Sequence, residues 1–137
     1  MKINRLQPNQ HIFTKKLGEI NDAPDNIYYL GSLPDEARPV VAIVGSRKPT
    51  TYGTEMTQRL AYDLAKRGVV VVSGLALGVD ALAHSAALEA GGQTVGVVVN
   101  ELPDISPRTN LNLAKRMIQS NGAVLSEWVE GDGTVIH

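Results

Sequence analysis

Val40-Val41-Ala42-Ile43-Val44-Gly45-Ser46-Arg47-Lys48-Pro49-Thr50-Thr51-Tyr52-Gly53 is the stretch that decides the fold class. Its first five residues are apolar and mostly β-branched, and so short a run reads as a strand buried on both faces. Glycine follows at once, then hydroxylic and charged positions, then a helix start. A strand, loop and helix in this order make a site for an anion. The backbone N–H groups at a helix mouth have no intrahelical partner and lie at the positive end of its dipole. Arg47 and Lys48 add formal positive charge to the same loop. The spacing is neither G-x-G-x-x-G nor G-x-x-x-x-G-K-[ST], so neither of the two best-understood phosphate loops is present.

Downstream, Thr51 is the expected N-cap of a helix on which Met56, Leu60, Ala61, Leu64 and Ala65 recur at helical spacing, with Gly68 as the stop. Arg59, Lys66 and Arg67 read as its solvated face. Val69-Val70-Val71-Val72 is a second buried strand. It runs into Ser73-Gly74-Leu75-Ala76-Leu77-Gly78-Val79-Asp80, a second glycine-rich turn from strand to helix. The helix from about Asp80 to Ala90 is alanine-rich, as suits close packing on a sheet. Residues 94–99 form a third strand and residues 100–110 a long loop with Pro103, Pro107 and Arg108. A helix carrying Leu111, Leu113, Ala114, Met117 and Ile118 ends at Asn121-Gly122, and residues 123–126 form a fourth strand with Glu127 at its tip.

Strands alternating with helices predict an α/β fold, a Rossmann-like three-layer sandwich with a mostly parallel sheet over residues 39–137. Residues 1–38 read as an appendage packing on that sheet. Leu6, Phe13, Leu17 and Ile20 mark a short helix stopped by Pro24, and Ile27-Tyr28-Tyr29-Leu30 has strand character. The last ten residues, with Gly131 and Gly133, have no clear structure. Ligands of such sheets lie outside the carboxyl ends of the strands. Residues 45–48, 73–78, 100–108 and 126–127 all fall on that one edge.

The composition narrows the chemistry. At 137 residues the chain is expected to form one domain, and the absence of cysteine removes disulfides, thiolate zinc sites and a thiol nucleophile. With 13 basic and 14 acidic residues the net charge is −1, so nucleic-acid binding would have to come from locally clustered charge. Phe13 and Trp128 are the only residues of their kinds. No run of 18 apolar residues and no apolar leader occurs near the start, which predicts a cytoplasmic protein without a membrane span.

A dinucleotide is disfavoured as the ligand, because the second strand ends in Ser73-Gly74 where an acidic residue would be needed for the ribose. Asp80 and His84, four apart on one helix face, lack a third ligand or a neighbouring nucleophile. They are expected to brace the glycine-rich turn; neither a metal nor a cofactor is expected. Tyr52 is the only aromatic near the loops and is read as a packing residue rather than a stacking platform.

Val41-Ala42-Ile43-Val44-Gly45-Ser46-Arg47, Tyr52-Gly53 and Val72-Ser73-Gly74-Leu75-Ala76-Leu77-Gly78-Val79-Asp80-Ala81 with His84 resemble the Rossmann-like domain of the DprA/Smf family of bacterial DNA-processing proteins. Ser106-Pro107, Asn110 and Leu125-Ser126-Glu127 are similar to family features as well. The resemblance covers about residues 24–131. It implies a non-enzymatic binder of single-stranded DNA that loads the recombinase RecA in natural transformation and recombination. The implied phosphate-contacting residues are Gly45, Ser46, Arg47, Lys48, Ser73, Gly74, Gly78, Arg108 and Asn110, with Asp80, His84 and Glu127 supporting the loops, Glu127 by orienting Arg47 or an amide. Members of the family continue past the position of Gly131 into a basic segment that carries DNA contacts and a dimer surface. The chain is accordingly expected to be incomplete at its C-terminus, with a homodimer depending on that part. The alternative is a small nucleotide-binding or nucleotide-hydrolysing protein of the wider Rossmann-like group, although the Pro-Gly-Gly-x-Gly-Thr turn of its phosphoribohydrolases does not occur here.

Overall fold

The computed structural model describes residues 2–34 and 37–131, with backbone alone for Lys16 and Leu17. The expectation for Gly133 and its neighbours lies outside the described residues. Strands β1 (Ile3–Leu6), β2 (Ile27–Gly31), β3 (Val40–Ala42), β4 (Val70–Ser73), β5 (Thr94–Val97) and β6 (Ala123–Ser126) join in one sheet, with helices α1 (Thr51–Lys66), α2 (Val79–Glu89) and α3 (Leu111–Gln119) between the later strands. The sheet order is β1-β2-β6-β5-β4-β3. Strands β3 to β6 run parallel to one another, whereas β2 is antiparallel to both β6 and β1.

A monotonic order joined by crossovers of one hand puts all the connecting helices on one face. The packing agrees. Ile43 and Val71 meet the alanines of α1 and α2, and Leu75 and Val124 meet Leu113, Ala114 and Met117 of α3. On the opposite face Val70, Val95 and Leu125 pack with Leu6, Ile27 and the half-buried Phe13 of the N-terminal segment. Helices, sheet and N-terminal segment are the three layers of a Rossmann-like α/β fold.

Three expectations change. The run beginning at Val40 does form a strand, but β3 is the border of the sheet, and Val40 and Val44 are 48% and 71% exposed rather than buried. Its pairing with β4 alone leaves its other side without a neighbouring strand among the described residues. Over that border, α1 buries Ala61 and Ala65 while Met56 and Leu60 stay 41% and 50% exposed. Its cap is Thr50, whose hydroxyl accepts from the Gly53 amide at 3.0 Å, one residue before the expected Thr51. The N-terminal segment holds no α-helix among its described residues. It forms β1 and two 3-10 turns, Pro8–Gln10 and Lys15–Glu19, and pairing of Ile3 with Leu30 makes the segment part of the sheet itself.

A buried histidine ties α2 to the sheet. His84 is fully buried; its Nε2 accepts from the Leu75 amide at 3.3 Å, and its Nδ1 lies 2.6 Å from the hydroxyl of Thr94. That hydroxyl donates to the Val71 carbonyl at 2.8 Å. Since Nε2 must accept, the proton sits on Nδ1, and the chain from His84 through Thr94 to Val71 is fully satisfied only while the imidazole is neutral. Burial lowers the pKa of His84 from 6.5 to about 4, against a smaller upward pull from Asp80.

This lowering has a definite sign. The unfolded chain takes up the proton more readily, so stability is complete above about pH 6.5, falls as the pH drops towards about 4, and stays low beneath that. The loss amounts to about 3 kcal/mol. Urea titrations between pH 7 and pH 4 should show it, and His84→Gln, less stable at neutral pH, should have a flatter dependence over the same interval. A second measurement checks the border position of α1. Leu60→Lys should change stability by less than about 0.5 kcal/mol, as on a free surface, whereas Ala61→Leu should cost about 1–3 kcal/mol by overpacking.

Candidate functional site

The register of the parallel strands sets Ala42 beside Val72, Ser73 beside Gly96 and Val97 beside Leu125, so the loops that follow them open on one edge. Two of these loops interlock. The Val79 amide donates to the Ser46 carbonyl at 3.0 Å. Gly78 has φ +79°, and a Cβ there would be driven into the carbonyls of Ser46 and Arg47. Only glycine fits, so the β4–α2 turn and the β3–α1 loop hold each other in place. Gly45 in turn lies against the side chain of Val79.

Side chains brace the β4–α2 turn from three directions. Asp80 accepts from the Gly74 amide at 3.0 Å, His84 accepts from the Leu75 amide, and Asn110 donates to the Leu75 carbonyl at 2.7 Å. Leu75 itself has φ +59°, a strained value for a residue with a γ-branched side chain, and these bonds hold it there. Gly74 also allows close approach, since a Cβ would lie 2.8 Å from the Asp80 carboxylate.

Between these loops lies an open cavity of about 320 Å³ lined by Arg47, Gly74, Leu77, Val98, Asn100 and Ser106, among others. Arg47 is the one charged residue among those lining it. Of the expected residues Arg47 and Gly74 line this cavity, and Gly45, Ser46, Lys48 and Gly78 belong to the two interlocked loops. Three other expected residues are placed otherwise. Ser73 is buried and its hydroxyl donates to the Ile43 carbonyl at 2.5 Å, so it ties β4 to β3 instead of facing the cavity. Asn110 is buried and committed to the turn. Arg108 lines a separate cavity with Asp104 and Glu130.

The donors differ from those the sequence suggests. The amides of Gly74, Leu75 and Val79 have partners, that of Lys48 donates to the Ser46 hydroxyl, and the mouth of α1 is capped by Thr50. The buried Asp80 stands in the first turn of α2, where an anion would otherwise be drawn. The positive charge of this loop is therefore carried by side chains, with Arg47 lining the cavity and Lys48 next to it in the chain. Glu127 lines a different cavity, together with Phe13 and Trp128, and not the one that holds Arg47. Tyr52 is 71% exposed at the start of α1, so it is not the packing residue expected from sequence. Ser106 and Pro107, the pair noted in the sequence, line the cavity, as does Asn100, for which a place in the long loop at a strand end was the available signal. Among the described residues no cluster of His, Asp or Glu suits a metal ion, and no helix is long and apolar enough to cross a membrane.

Known proteins are similar to this chain in sequence and in fold. The chain is 38% identical to Protein Smf of Synechocystis over 130 residues, which is 92% of this chain and 32% of that protein. It superposes on the X-ray structure of DNA processing protein A from Streptococcus pneumoniae with a TM-score of 0.80 and 34% identity, covering 96% of this chain and 46% of that one. The corresponding structure from Helicobacter pylori, solved for its single-stranded DNA binding mode, gives a TM-score of 0.76 and 32% identity over 96% of this chain and 58% of that one. The chain thus spans between about a third and three-fifths of the length of these relatives. The family model described as DNA recombination-mediator protein A matches residues 4–135, nearly the whole sequence, and this chain belongs to that family.

Proposed function

We propose that the chain binds single-stranded DNA by its sugar-phosphate backbone, with a phosphate held at Arg47 in the cavity between the β3–α1 and β4–α2 loops. The observation that carries this reading is the cavity itself: it opens at the carboxyl edge of the parallel strands, and its one charged lining residue is a guanidinium. A guanidinium recognises phosphate by paired, charge-assisted hydrogen bonds. Neighbouring Lys48 adds to the local positive field of a chain whose overall charge is near neutral. The Helicobacter relative, known for its single-stranded DNA binding mode, supports the same ligand.

In this reading the protein works by binding and not by catalysis. It holds the strand in a recombination step during DNA uptake, in the cytoplasm, where it loads RecA and pairs with a second copy if the family's further polypeptide is present. Asp80, His84 and Asn110 act through the turn they brace, so their contribution to affinity is positional.

The test is a titration of labelled single-stranded oligonucleotide with the wild-type chain and Arg47→Ala at two salt concentrations. Wild-type binding should weaken with salt, with log K falling by about 0.7 per phosphate contact per log unit. Arg47→Ala should bind about tenfold more weakly and lose about one contact from the slope. Equal affinity of the two proteins would refute the phosphate site, and turnover of a nucleoside monophosphate would favour the nucleotide-hydrolysing alternative.

A further inference from the structure

The border strand β3 is exposed along its length, and its own sequence does not guard it. Val40-Val41-Ala42 carries no charge and no proline, the usual protections of a free sheet edge. The nearest cation, Arg38, is engaged elsewhere: its Nε donates to the Gly68 carbonyl at 3.1 Å and its Nη1 to the Gln93 side chain at 2.6 Å.

The bonds to β4 decide which backbone groups face outward. The Pro39 carbonyl accepts from the Val70 amide, and the Ile43 amide donates to the Val72 carbonyl, both at 2.8 Å. Backbone groups alternate in direction along a strand, so the amides and carbonyls of Val40 and Ala42 point away from β4. Side chains alternate as well. Ile43 packs with the alanines of α1, so Val41 stands on the helix face of the sheet, where α1 leaves Met56 and Leu60 exposed.

The exposed side of α1 also carries an ordered series of charges. Glu55, Arg59, Asp63 and Arg67 follow one another at helical spacing, all exposed, with alternating sign. The midpoint of the series is Ala61. That residue shares a packed cluster with Val71, and Val71 is level with Val41 in the register. The middle of β3 and the middle of the charge series therefore lie at one height.

We propose that this margin takes a second copy of the chain, its β3 antiparallel to the first about a two-fold axis through Val41. Val40 of each copy then faces Ala42 of the other, and each such pair exchanges both of its backbone hydrogen bonds. Across the same axis the two α1 helices run antiparallel, with Met56 and Leu60 of each in the seam. The charge series meets its own reverse, Glu55 opposite Arg67 and Arg59 opposite Asp63. Self-complementarity of this kind is what a two-fold interface requires. The surface lies wholly within the described residues, so this pairing needs none of the family's further polypeptide and does not rest on the phosphate reading.

Sedimentation equilibrium of this chain over a concentration range of about a hundredfold should show monomers giving way to dimers. Hydrogen exchange at the Val40 and Ala42 amides should slow as the dimer forms. Arg59→Asp, at an exposed position, should keep the helical circular dichroism and weaken association at least about tenfold at low salt, because an aspartate then faces Asp63 of the second copy. Combining Arg59→Asp with Asp63→Arg should restore association to within about threefold. A chain that stays monomeric throughout the range overturns the proposal and leaves the margin to another segment. A dimer that forms without slowing exchange at Val40 and Ala42, and that Arg59→Asp does not weaken, overturns it too, since the copies then meet elsewhere.

Discussion

The rim of this sheet depends on one steric and polar interlock, the seating of the β4–α2 turn against the β3–α1 loop. Gly78 lies where any side chain would strike the carbonyls of Ser46 and Arg47, and the Val79 amide closes the contact with a hydrogen bond to Ser46. Behind it Asp80, His84 and Asn110 each bond to the backbone of Gly74 or Leu75. The turn can be strained at Leu75 because its polar groups are satisfied from inside. That contact anchors the backbone that carries Arg47.

The same economy decides how the site attracts an anion. A glycine-rich loop ahead of a helix suggests phosphate cradled by amides, and here several of those amides are already engaged. An acidic side chain, Asp80, occupies the first turn of α2. The architecture provides a preformed cavity whose charge comes from a side chain, Arg47. Affinity that comes from solvated cations is more sensitive to ionic strength than affinity from a buried amide nest.

Much of the fold was legible because parallel strands are written as short β-branched runs separated by helical periods. Residues 70–72, 94–97 and 123–126 all lie in strands, and Asp80 and His84 share a face by spacing alone. Neighbours were not legible. Val40 to Val44 reads like Val69 to Val72, yet the first is a border strand and the second is interior, because composition describes a residue's own preference and not what stands beside it. Strand β1 was missed for a related reason: Ile3-Asn4-Arg5-Leu6 lacks a run of its own and is extended through its partner β2. In the site, sequence marked Ser73 and Asn110 as polar groups near the rim. Direction was beyond it, since Asn110 reaches Leu75 across 35 residues and Ser73 turns inward to Ile43 across 30.

The border strand and the Arg47 loop are consecutive in the chain, and this links two properties that look separate. β3 is bonded along β4 alone and ends at Ala42, three residues before Gly45. Its outer amides and carbonyls are oriented for another extended segment, with valines flanking them. Whatever docks along that margin would restrain the start of the loop, and by thermodynamic reciprocity an anion resting in the loop would alter the strength of that docking to the same degree. A segment annealed at the periphery and the anion proposed for the rim would therefore be linked through one short stretch of chain.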